Sequence, residues 1–75
     1  MRRSEFWVAV DDEFGPHGRV LTRDLTLLAL GGVTAEQALD RGFAPREVWL
    51  ALARENDVPP GRWHGVGQRE PKRAR

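Results

Sequence analysis

Glycine and proline cut this chain at Gly15-Pro16, Gly31-Gly32, Gly42 and Pro59-Pro60, so that every regular element between the cuts must be short. Each cut has a physical cause. Glycine takes the left-handed backbone that helix ends require, and proline lacks the N–H that a helix or sheet interior needs. With 75 residues in all, the chain makes one small domain whose stability margin is thin.

Apolar spacing fills the gaps with helices. Ser4 is placed to cap the first, with Glu5 in its first turn and Phe6, Trp7, Val10 and Phe14 as its inward stripe. His17 and Gly18 read as loop. A second helix is expected from about Arg19 to Leu30, with Leu21, Leu25 and Leu28 on one face and Val20 and Leu27 widening it. Gly31-Gly32 ends it. Thr34 and Gln37 have the spacing of a capping box, which opens a short third helix with Ala38 and Leu39 inward and Gly42 at its C-terminal cap. Pro45 suits the first position of a fourth helix, Phe43 is placed to staple against Val48, and Val48, Trp49, Leu52 and Ala53 form its stripe.

The architecture expected is all-α, without strands or internal repeats. It is a compact bundle of four short helices over residues 1–58, ending in a helix-turn-helix-like hairpin, followed by a flexible basic tail over 59–75 with only Trp63 and Val66 able to fold back. The core expected is Phe6, Trp7, Val10, Phe14, Leu21, Leu25, Leu28, Leu39, Phe43, Val48, Trp49 and Leu52.

Charge is unevenly spread. Residues 59–75 hold five basic side chains against one acidic, a net +4, while residues 1–58 hold seven against ten, a net −3. The longest apolar stretch, around Leu25 to Leu30, falls far short of the roughly 20 residues of a membrane span. The N-terminal arginines are not followed by the apolar run of a secretory signal. Without cysteine there is no disulfide, thiolate metal site or cysteine nucleophile, and a cytoplasmic location is expected.

No residue pattern points to a reaction. His17 and His64 lack ligands at zinc spacing, and Gly31-Gly32 lacks the strand and Lys-Ser/Thr ending of a phosphate loop. Asp11, Asp12 and Glu13 diverge around a helix and fit no calcium loop, so a solvated face is expected there. No catalytic residue, cofactor or metal is expected. Two binding readings stay open. The leading one is a non-enzymatic protein-binding adaptor or regulator, with whichever of Trp7 or Trp49 keeps an exposed edge at the centre and charges such as Asp12 or Arg46 in the rim. The alternative is a nucleic-acid-binding module, using Arg46 and Arg54 on the fourth helix or Arg62, Arg69, Lys72 and Arg73 along the tail.

Several of these residues stand together in a recognisable order: Glu5-Phe6-Trp7, Leu30-Gly31-Gly32, Thr34, Ala38-Leu39, Gly42, and Pro45-Arg46-Glu47-Val48-Trp49 with Leu52. Over residues 1 to 60 the chain resembles a small actinobacterial family of uncharacterised proteins, domain of unknown function 3046. The resemblance implies a short cytoplasmic protein. It assigns no activity, cofactor or catalytic residue.

Overall fold

The computed structural model describes residues 1–63. Four α-helices, α1 (Arg3–Phe14), α2 (His17–Asp24), α3 (Ala35–Asp40) and α4 (Pro45–Glu55), are joined by a small hairpin, β1 (Thr26–Leu27) and β2 (Val33–Thr34). The strands are antiparallel, with Thr26 opposite Thr34 and Leu27 opposite Val33. The fold is mostly helical, as expected, but the hairpin overturns the expectation of no strand.

The hairpin also shortens α2. Leu25 is already extended, at φ −85° and ψ 121°, so the chain leaves the helix before the leucine run that seemed to continue it. Strand geometry then alternates the side chains. Thr26 points outward and Leu27 is buried, while Leu28, assigned to the core by helical spacing, has left the strand for the turn that follows and is 82% exposed. Val20, expected to widen the buried face, is also exposed. A 3₁₀ turn over Leu28–Leu30 leads into Gly31 and Gly32, both at positive φ (86° and 84°), and their N–H groups bond back to Leu28 and Leu27. The glycine pair thus turns a hairpin rather than ending a long helix.

Phe6, Val10, Leu39, Val48, Trp49 and Leu52 form the expected centre of the core, joined by Ala9, Leu27, Leu30, Val33, Ala35, Ala38, Ala51, Ala53 and Val58. Trp7, Phe14, Leu21, Leu25 and Phe43 pack against it while half-buried. Helix α1 rests on both α2 and α4, and α3 on α2 and α4. Gly18, read as loop, lies inside α2 and lets that helix approach α1: a Cβ there would stand 2.6 Å from Val10 Cγ1. The buried Thr22 donates its hydroxyl to the Arg19 carbonyl at 3.0 Å, so no polar atom of that side chain is stranded.

The helix ends follow sequence chemistry closely. The cap of α1 is Arg2 rather than Ser4, because Glu5 reaches back to accept the Arg2 backbone N–H at 2.6 Å. At α3, Thr34 Oγ1 accepts from the Gln37 N–H (3.2 Å), and Gln37 Oε1 accepts from the Thr34 N–H (3.0 Å), which completes the expected capping box. Gly42, at φ 96°, lies one residue past the cap residue Arg41, and Phe43 N–H bonds to the Ala38 carbonyl behind it. The end of α4 repeats this Schellman geometry, with Val58 N–H bonding to Ala53 O. There the left-handed position is held by Asp57, at φ 59°.

Two stability predictions follow from these positions. Gly18→Ala overpacks the α1–α2 contact and should lower stability by about 1–3 kcal/mol in chemical denaturation. Asp57→Gly relieves a left-handed non-glycine residue and removes a negative charge from the C-terminal end of α4. It should gain about 1 kcal/mol, read as a thermal midpoint higher by roughly 4–8 °C.

Candidate functional site

Helix α1 presents two engaged surfaces. On one, Trp7 lies half-buried, edge-on to Phe6 at 5.1 Å between ring centroids. The Arg19 guanidinium, carried by α2, stands over the Trp7 ring at 4.4 Å from its centroid. Asp11, one helical turn along from Trp7, fixes that guanidinium through two hydrogen bonds, at 3.2 and 3.3 Å. The hydrogen bond to Asp11 raises the Arg19 pKa further above its ordinary value. Val8 is exposed beside Trp7, and Asp12 follows Val8 by one turn on the same outward stripe.

The second surface lies where α1 ends beside the C-terminal segment. Residues 60–62 form a 3₁₀ turn that carries Arg62 to Glu13, with bonds of 3.1 and 2.9 Å to its two carboxylate oxygens. The Glu13 side chain is only 16% exposed. Asp11 and Asp12 are exposed, as expected of a solvated face, while Glu13 is half-buried, and Asp11 and Glu13 are each paired to an arginine from another element.

Trp49 is 1% exposed, and its indole N–H donates to the Trp63 carbonyl. Its ring meets Phe14 edge-on at 6.3 Å. Of the two tryptophans proposed from sequence as an exposed anchor, Trp7 is thus the one at the surface, and Trp49 belongs to the core. Trp63 folds back on the body, donating its own indole N–H to Val58 O at 2.6 Å beneath the Arg54 guanidinium, 5.2 Å from the ring centroid.

The helix–turn–helix order of α3 and α4 is present in the chain, and the two helices touch. Arg46 and Arg54 are exposed on α4, but Glu47 and Glu55 are exposed beside them. Arg62 is engaged with Glu13. Arg69, Lys72, Arg73, His64 and Val66, with most of the tail assigned to flexibility, lie outside the described residues. His17 is exposed at the start of α2, and no group of three His, Cys, Asp or Glu side chains among the described residues could hold a metal ion. No helix among them is long and apolar enough to cross a membrane.

Nothing in the sequence foretold the partners of Arg19 and Arg62, because both pairs join residues from different elements.

No curated protein and no solved structure matches the chain. A family model does, described as "Protein of unknown function (DUF3046)" and matching residues 1–61, all four helices and the hairpin included, so the chain belongs to that family.

Proposed function

We propose that this protein is a non-enzymatic cytoplasmic adaptor or regulator that binds another protein through the α1–α2 face centred on Trp7. One observation carries the reading: a half-buried tryptophan stacked under an arginine that Asp11 already holds in place. Tryptophan and arginine are the residue types that dominate interface energies. Their prior fixing here lowers the ordering cost that association normally incurs. Val8 and Asp12 extend the surface with an apolar and an acidic contact, while Arg46 stands apart at the start of α4. The nucleic-acid alternative draws less support from the described residues, where Glu47 and Glu55 interrupt any cationic stripe through Arg46 and Arg54.

Affinity capture with the full chain, beside Trp7→Ala and Arg19→Ala, tests this. A partner retained by the parent should bind each variant at least about tenfold more weakly, the scale of an interface hot spot. Circular dichroism should show that Arg19→Ala keeps the helical fold. A partner indifferent to both substitutions removes the site from the proposal. An amide NMR titration with mixed-sequence duplex DNA, at low and physiological salt, decides against the alternative class. Saturable shifts over residues 44–54 that persist at physiological salt would replace the adaptor reading with nucleic-acid binding.

A further inference from the structure

The segment from Val58 to Trp63 is anchored at its two ends, by Val58 in the core and by Arg62 and Trp63. Pro59, Pro60, Gly61 and Arg62 are exposed, and no residue among these four adds a side chain to the core. The end of the segment is held by the Arg62–Glu13 ion pair and by Trp63, whose half-buried ring packs against the core under Arg54, whose indole N–H donates to Val58 O, and whose carbonyl accepts the Trp49 indole N–H. The ion pair is exposed on its arginine side, and such pairs contribute little net stability. Arg62 and Trp63 also lie just past the residues that the family model matches.

These contacts define a site from the side of the body. It consists of a half-shielded carboxylate at Glu13, an indole donor at Trp49, and a guanidinium on α4 that covers an aromatic ring. The occupant in the structure shows what fits. A basic side chain is followed directly by an aromatic residue whose own backbone carbonyl takes the indole proton.

We propose that Arg62-Trp63 is an internal pseudo-ligand on a displaceable latch, and that the site beneath it takes a basic–aromatic peptide segment of a protein partner. This rests on the adaptor reading and adds a second, gated surface to the one at Trp7. Release of the latch leaves the Trp49 donor without its acceptor and the Glu13 carboxylate without its cation. A partner peptide of the same chemistry satisfies both. Because residues 59–62 are exposed and only Trp63 beyond them packs on the core, release of Arg62 and Trp63 is a local event, separable from unfolding of the body.

The test follows the three tryptophan indole N–H signals of the ¹⁵N-labelled full chain. In the parent, the Trp49 signal should exchange with solvent at least about tenfold faster than the core amides of Phe6 and Leu52, because the latch opens without global unfolding. Exchange at the common global rate would overturn the proposal. In the full-length double variant Arg62→Ala/Trp63→Ala, which removes both side chains that hold the end of the segment, an acetylated peptide of sequence Val-Pro-Pro-Gly-Arg-Trp should shift the Trp49 signal saturably, and its Arg-to-Ala and Trp-to-Ala versions should not. The parent should need at least about tenfold more peptide, since its own latch competes. A folded double variant whose Trp49 signal ignores the peptide overturns the proposal. So does a double variant that fails to fold, because a segment that cannot leave without unfolding the body is not a latch. Neither failure touches the Trp7 and Arg19 comparison, so the two surfaces stand or fall separately.

Discussion

A buried indole brings one polar hydrogen into an apolar core, and that hydrogen needs an acceptor. At Trp49 the acceptor is the carbonyl of Trp63, fourteen positions along the chain. Much of the arrangement around it serves this bond. The left-handed residue Asp57 turns the chain off α4, Val58 enters the core and accepts the Trp63 indole proton, and the 3₁₀ turn carries Trp63 back. On its other side the Trp49 ring meets Phe14 at the end of α1. One side chain thus connects the first helix, the last helix and the segment beyond it.

The parts of this fold legible in the sequence are those set by neighbouring residues. Thr34 and Gln37 cap α3 reciprocally because the two groups are three positions apart and nothing distant is needed. Pro45 opens α4 and Gly42 turns the chain after α3 for equally local reasons. The Leu25 to Leu30 run was misleading because a short apolar stretch fits a buried helix and a buried strand alike. What decides between them is pairing with Val33 and Thr34, across a turn whose glycines equally suited a helix end. Gly18 was opaque for a similar reason, since its lack of a Cβ matters only once Val10 is opposite.

The candidate sites were legible in residue type but not in pairing. Trp7 and Trp49 look alike on their helical stripes. Their fates diverge because α2 supplies Arg19 over the one, while Phe14 and the returning chain enclose the other. The acidic run on α1 looked like solvent-facing surface, yet it divides its work between two arginines. Asp11 holds Arg19 on the α2 side, and Glu13 holds Arg62 at the opposite end of the sequence. A charge run read residue by residue carries no information about such a division of partners.

The meeting of α1 with α4 has a consequence for how the molecule is made. Synthesis proceeds from the N-terminus at about 5–20 residues per second, so roughly 2–7 s separate the emergence of Phe14 from that of Trp49. Through that interval Phe6, Val10 and Phe14 lack the ring and the helix that later cover them. Helix α2, drawn close at Gly18, is the first element able to shelter part of that stripe in the meantime. The tight α1–α2 pairing therefore acts as a temporary roof for a core whose final wall is the last helix to arrive.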